Sequence, residues 1–343
     1  NEGGSDLAGV RKPLAFGRVL NVRPVMVDPG AGRYQVHDGG IDDVDALYVG
    51  GVVYTKIAGT PAANQYAVDA ATGFVTVGGA PLTEQVTCDV KGAKPGGAYL
   101  TTVADIVEEI VTSQGGLGAG DLDGASFTAL NAANNATVGV YIDGANSRSV
   151  LEVLDELVAS IGGYYGFDRS GKFEVGRLEA PGGTPAATFT NVEILEIDRP
   201  ATALPVHRVR LGYQPNGTVQ VEFQLQGGAT APRRAFTARE FRHVTAEDGS
   251  VLTMHPLAGD LEINTLLDGS ADASAEASRL LNLYKADRDL FRVRVKTQPF
   301  ALELADNVRL TYPRFGLGSG KAFRVIGLVE DAASNEVELT LWG

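Results

Sequence analysis

The stretch LTTVADIVEEIVTS, residues 100–113, is where the hydrophobic period of the chain changes. Val103, Ile106, Val107, Ile110 and Val111 recur at helical spacing, Thr101 or Thr102 can cap the start, and Gly115 and Gly116 follow the end. An amphipathic helix is predicted there. Upstream, residues 1–98 have a different grain: short β-branched or aromatic runs separated by turn chemistry. Strands are expected at 16–24, 34–37, 46–49, 51–57, 66–68, 74–77 and 84–91, punctuated by glycine-rich turns. Leu47, Val49, Val52 and Tyr54 alternate around Gly50-Gly51, which predicts a half-buried hairpin turning at the two glycines.

Downstream, a second helix is expected from Ser147 or Ser149 to Ile161, with Val150, Leu151, Leu154, Leu157, Val158 and Ile161 on one face. Ser149-x-x-Glu152 matches a capping box, and Gly162-Gly163 stop the helix. A hairpin should follow, turning at Asp168-Arg-Ser-Gly171, and the run from Ala180 to Pro185 reads as a linker. Pro215-Asn-Gly217, flanked by 206–214 and 219–226, predicts another hairpin. Residues 229–234 read as an exposed loop. A third helix is expected over 271–287, with Ala275, Ser278, Leu281, Leu283 and Tyr284 inward, and strands at 290–297, 307–312, 321–330 and 336–342. No period of roughly 20 to 50 residues recurs, which argues against a solenoid or propeller. The expected class is α+β, mainly β, in three spans: a mainly β part over 1–98, an α+β part over 99–180, and a mainly β part over 181–343 with one helix.

Composition supports a folded chain and removes several classes. The 343 residues include 43 glycines, about one in eight against a usual roughly 7%, consistent with many tight turns. With 29 basic and 42 acidic side chains the net charge is -13, so a general nucleic-acid surface and a polybasic membrane patch are not expected. The single cysteine, Cys88, leaves no intrachain disulfide or multi-cysteine metal site and is expected as a small buried residue. No run approaches the roughly 18 apolar residues of a membrane span, and the polar start does not resemble a signal peptide.

Chemical signatures are sparse. Phe315-Gly-Leu-Gly-Ser-Gly-Lys321 imitates a phosphate loop, but Phe315 stands where the first glycine is needed and Ala322 replaces the metal-binding hydroxyl; a surface turn in a β-hairpin is expected. His37, His207, His243 and His255 lie on separate segments without ligand spacing. Asp121-Leu-Asp123-Gly124 brings two carboxylates close, yet Ala132 stands where a calcium loop needs its final Glu. Asn135-Ala-Thr137 and Asn216-Gly-Thr218 fit the glycosylation pattern, which is short enough to arise by chance. Tyr164, Tyr165 and Phe167 are expected to pack in a core; stacking on a sugar is the competing reading. Catalytic, cofactor-binding and metal-ligating residues are therefore not nominated. Arg233 and Arg234, with Arg239 and Arg242 nearby, form a basic cluster in an acidic chain. Arg233 and Arg234 are nominated as partner contacts through bidentate pairs with carboxylates.

Several ordered blocks carry a resemblance. Arg11-Lys-Pro-Leu-Ala-Phe-Gly-Arg-Val-Leu-Asn-Val22, then Tyr34-Gln-Val-His-Asp-Gly39 and Val44-Asp-Ala-Leu-Tyr48, open it. Leu304-Ala-Asp-Asn-Val-Arg-Leu-Thr-Tyr-Pro-Arg-Phe-Gly-Leu317, Lys321-Ala-Phe-Arg-Val-Ile-Gly327 and Val337-Glu-Leu-Thr-Leu-Trp342 close it, and the helix, loop, helix and hairpin of the middle agree. Together they resemble the tail hub or tail-tip proteins of long-tailed bacteriophages and prophages, relatives in architecture of the baseplate hub. The resemblance implies small β-barrel-like domains with an inserted α+β domain, and a homotrimer closing the distal end of the tail tube. It also implies contacts with the tube or distal tail protein and with tip or central fibre proteins, and passage of DNA without specific binding. No cofactor and no stable membrane insertion are implied. The location implied is the virion, after assembly in the host cytoplasm, and residues are expected ahead of the Pro-Leu-Ala-Phe-Gly block. No C-terminal fibre or hydrolase extension of the family follows Trp342, a departure that counts against receptor binding or wall digestion by this chain. A tail-associated peptidoglycan hydrolase or peptidase, and a receptor- or carbohydrate-binding module, remain the alternatives. If the chain forms a hub, its carboxylates should line the axial channel.

Overall fold

The computed structural model describes residues 3–144, 148–296 and 301–343. Ser147 as a helix start and Thr297 as a strand end lie outside the described residues. The first part of the chain supplies β1 (Leu14–Val22), β2 (Val25–Asp28), β3 (Arg33–Gln35), β4 (Ile41–Val49), β5 (Val52–Val53), β6 (Thr55–Lys56), β7 (Gln65–Asp69), β8 (Phe74–Val77) and β9 (Val86–Ala93). Next come α1 (Val103–Ser113), α2 (Gly124–Ala133), β10 (Gly139–Ile142), α3 (Val150–Ala159), β11 (Gly163–Phe167) and β12 (Phe173–Arg177). The remainder supplies β13 (Ala187–Phe189), β14 (Ile194–Asp198), β15 (Val206–Tyr213), α4 (Ala231–Thr237), β16 (Arg242–Glu247), α5 (Val251–Met254), β17 (Gly259–Asn264), α6 (Ser270–Tyr284), β18 (Leu290–Lys296), β19 (Asn307–Leu310), β20 (Lys321–Asp331) and β21 (Glu336–Trp342). The class is α+β, mainly β, as expected.

The first part folds into two five-stranded sheets, ordered β10-β1-β9-β4-β5 and β2-β3-β8-β7-β6. Strand β1 joins two pairings: its first half lies antiparallel to β10 and its second half to β9. Gly17 sits at the changeover with φ +63, where a Cβ would come 1.9 Å from the Val138 carbonyl oxygen. Only glycine fits that close approach. Asn21, also at positive φ, occupies the register break between Val19 and Val22. Consecutive residues of a strand face opposite ways, so Ala15 packs into the core of these sheets while Phe16 packs into the next one. The hairpin at Gly50-Gly51 forms as expected; both glycines take positive φ and Val49 pairs with Val52.

The second core gathers α1, α2, α3 and β12 under α6 and the three-stranded sheet β16-β15-β17. Thr102 caps α1 by accepting from the Asp105 N–H, and Ser149 and Glu152 form the expected capping box on α3. Beneath α6, the buried Glu276 accepts from Arg177 and, at 2.7 Å, from Arg279. Both guanidiniums also donate to the Ile161 carbonyl, each at 3.1 Å, so one carboxylate ties α6 to the end of α3 and to β12. The third core lies on the six-stranded sheet β13-β19-β20-β21-β18-β14. Residues 181–343 therefore contribute to two cores and not one: β15, β17 and α6 pack with the helices of 103–159, while β13, β14 and β18 to β21 make the last core.

Several expectations are corrected. Asp123 caps α2, accepting from the Ala125 N–H; this helix is not expected from the sequence, because its apolar residues, mostly alanines beside Phe127 and Leu130, do not gather on one face. On α3, Leu151 is 60% exposed and Val153 takes the inward place. On α6, Ala275 and Ser278 face solvent, while Ala273, Glu276, Ala277, Leu280, Leu281 and Leu283 are buried. The small residues allow close approach to β15, and the Glu276 knot fixes the rotation. The hairpin at Pro215-Asn-Gly217 does not form: β15 pairs antiparallel with β16 and parallel with β17. Asn216 is instead buried, its side chain holding the backbone of 237–239.

Candidate assembly interface

The nominated basic pair sits on a short helix. Thr230 accepts from the Arg233 N–H at the start of α4, and Pro232 occupies the first turn, so 231–234 cannot be the loop expected from small residues and proline. Arg233 is turned inward and only 9% exposed. Its guanidinium donates to Asn21 Oδ1 and to Thr87 Oγ1, the latter at 3.3 Å, and its Cζ lies 3.4 Å from the centroid of the Tyr48 ring. Asn21 in turn donates to Asn216 Oδ1 at 2.7 Å and to the Thr218 carbonyl at 2.6 Å. Asp89 accepts from the Asn21 N–H at 2.8 Å and from the Tyr48 hydroxyl at 3.1 Å.

This network joins β1, β4 and β9 to the segment that crosses them. Burial raises the Asp89 carboxyl above its ordinary range, and the Asn21 N–H and Arg233 oppose that shift. Burial, with the Asp89 charge beside it, pushes the Tyr48 hydroxyl up to about 12, so it stays a donor. Burial likewise lowers Arg233, whose proton still holds at any physiological pH.

Arg234 is also engaged within the chain. It donates to the carbonyls of Ala229 at 3.0 Å and Gln226 at 2.7 Å and pairs with Glu222, closing the loop that leads into α4. Both nominated residues are thus engaged within their own chain, Arg233 turned inward and Arg234 paired with Glu222, and neither sits on the exposed loop from which the nomination was argued. The network partners Asn21, Tyr48, Thr87 and Asp89 are not legible as a unit, because they are single residues on three different strands with no motif spacing.

The remaining candidates separate. His37 is buried; its Nδ1 accepts from the Ala15 N–H at 3.0 Å, and burial lowers its pKa to about 4. His207 and His243 lie on the open face of the three-stranded sheet near Asp260 and Glu262. Among the described residues, no group of three or more His, Cys, Asp or Glu is placed to hold a metal. The loop 311–320 is the turn expected between the antiparallel strands β19 and β20, with Leu317 anchored in the core. Tyr165 stacks on Phe173 at 5.8 Å, whereas Phe167 is 62% exposed and meets Phe173 edge-on, so the trio is only partly core. Asn216 is buried and fully bonded, which removes it as a glycosylation acceptor. Cys88 is buried as expected. No helix among the described residues is long and apolar enough to cross a membrane.

Surfaces suited to assembly are present at two kinds of place. Strands β13 and β14 end the six-stranded sheet and each pairs on one side only among the described residues. Leu195 on β14 is exposed, and Val192, just ahead of it, is 82% exposed. Phe223, Met254 and Leu257 also stand almost fully in solvent.

No family model and no curated protein matches the chain by sequence. Solved structures do match. The fold is shared with a chain in the virion of a native gene transfer agent particle, at TM-score 0.60 and 16% identity, covering 97% of this chain and 84% of that one. A tail protein from Neisseria meningitidis MC58 aligns at TM-score 0.45 and 14% identity, over 96% of this chain and 97% of that one. A 43 kDa tail protein of prophage MuSo2 from Shewanella oneidensis aligns at TM-score 0.41 and 10% identity, over 96% and 98%.

Proposed function

We propose that the chain is a structural virion protein of a phage-type tail: a homotrimeric hub at the distal end of the tail tube that connects the tube to tip or fibre proteins. The observation that carries this reading is the fold held in common with a virion chain over nearly the whole of this sequence. The ordered sequence blocks from Arg11 to Tyr48 and from Leu304 to Trp342 support it independently.

In this reading the role is not enzymatic and the protein resides in the tail tip after assembly in the host cytoplasm. The division into working units follows the cores: a mainly β unit to residue 98, an α+β unit of 99–180 completed by 206–284, and a mainly β unit of 187–198 with 290–342. The one-sided strands β13 and β14 are where neighbouring subunits can add to a sheet. The net charge of -13 suits a conduit, since acidic walls do not retain a phosphate backbone as it passes.

Immunogold labelling of intact particles tests the location, and light scattering of the purified chain tests the stoichiometry. Gold at the distal tip and a trimer mass are expected. Gold elsewhere on the particle, or a chain that stays monomeric and never enters particles, would remove the reading.

A further inference from the structure

The outer half of the basic cluster differs from the inner half. Beside α4 runs a groove of about 430 Å³ lined chiefly by Tyr213, Pro232, Phe236, Arg239 and Arg242. It continues, through Pro232, Phe236 and Arg242, into a second hollow of about 470 Å³ whose wall includes Arg18, Arg233 and the carboxylate Asp89, which faces Arg233. Arg239 is exposed. Arg242 is half-buried, with its guanidinium carbon over the Phe236 ring, 4.2 Å from the centroid; Arg233 lies over the same ring at 5.3 Å. Among the described residues, neither guanidinium has a carboxylate partner. Nearby arginines behave otherwise: Arg208 and Arg210 on β15 pair with Asp260 and Glu262, and Arg234 pairs with Glu222. The acids closest in the chain and on the sheet are Glu240 and Glu262; the latter lies 4.0 Å from His243 Nε2.

Two unpaired guanidiniums, one already oriented by an aromatic ring, thus border an apolar groove in a chain of net charge -13. A stacked guanidinium keeps its in-plane N–H donors free for a bidentate acceptor. We propose that this groove receives an acidic segment of a neighbouring protein chain, with carboxylates on Arg239 and Arg242 and an apolar side chain against Phe236 and Pro232. Nucleic acid is the poorer occupant: two guanidiniums neutralise few phosphates, and the rest of the chain repels them. The site stands whether or not the chain forms a tail hub, because it requires only an acidic neighbour.

Fluorescence polarisation with a fluorescein-labelled EEFEE peptide at low ionic strength tests it, with a short single-stranded oligothymidylate as the competing probe. Saturable peptide binding is expected, weakened at least about tenfold in Arg239→Gln/Arg242→Gln. Arg292→Gln, which removes an exposed arginine of β18, should leave it unchanged. An unaltered thermal melt of the double variant separates loss of binding from loss of fold. Absent peptide binding, equal binding by the double variant, or tighter binding of the oligothymidylate would each overturn the proposal.

Discussion

Arg233 and Tyr48 come from segments 185 positions apart, and the guanidinium carbon of one lies 3.4 Å from the ring centroid of the other. The contact is central because the same guanidinium reaches Asn21 and Thr87 and faces the buried Asp89. Removing it leaves the largely buried Asp89 carboxylate without its compensating charge. Arg233→Met should cost about 3–5 kcal/mol in urea denaturation with an unchanged m value. Arg233→Lys should recover little of this, since an ammonium cannot stack flat while bridging two oxygens. A loss below about 1 kcal/mol would show the network to be dispensable.

Glu276 holds the other buried charge knot. With Arg177 and Arg279 both directed at it and only 2% of its surface exposed, Glu276→Gln should destabilise by about 3–5 kcal/mol. Because the knot joins α6 to the α3–β11 connection, hydrogen exchange should rise first at Ile161 and Leu178. Uniform exchange across the chain would contradict a local role.

His37 predicts an acid response of definite sign. Its folded pKa is lowered from 6.5 to about 4, so the unfolded chain takes up a proton that the folded chain refuses between those values. The stability contribution is complete above about pH 6.5 and declines as pH falls to about 4, by about 3 kcal/mol in total. His37→Asn keeps an acceptor for the Ala15 N–H without the titration. The native chain should therefore lose about 3 kcal/mol more than the variant between pH 7 and pH 4. Parallel pH profiles would refute the assignment.

Gly17 and Gly9 both have positive φ, but only Gly17 is crowded: a Cβ there meets the Val138 carbonyl, while none of the chain lies within 4 Å at Gly9. Gly17→Ala should cost more than about 3 kcal/mol, by strain and by displacing β10 from β1. Gly9→Ala should cost about 1–2 kcal/mol. Equal melting shifts would remove the close-approach argument.

What the sequence made legible was local. The helix of 103–113, the capping box at Ser149, the Gly50-Gly51 hairpin and the strand Glu336–Trp342 all follow from period, caps and turns carried within a few residues. Long-range competition decided the failures. Pro215-Asn-Gly217 has good turn chemistry, yet β15 gains two partners, from 242–247 and 259–264, which outweigh one local hairpin. The face of α6 is hard to read from the sequence because alanine and serine give a weak period, and a buried Glu276 cannot be inferred without Arg177. The basic cluster was visible as composition, but which arginines turn inward depends on Asn21, Tyr48 and Thr87, far away in sequence.

A symmetry-resolved electron cryomicroscopy reconstruction of the particle that carries this chain tests the central claim most directly. The account predicts three copies in a ring at the distal end of the tail, with carboxylates facing the axial channel. A different location, a ring of another order, or a basic lumen would contradict it.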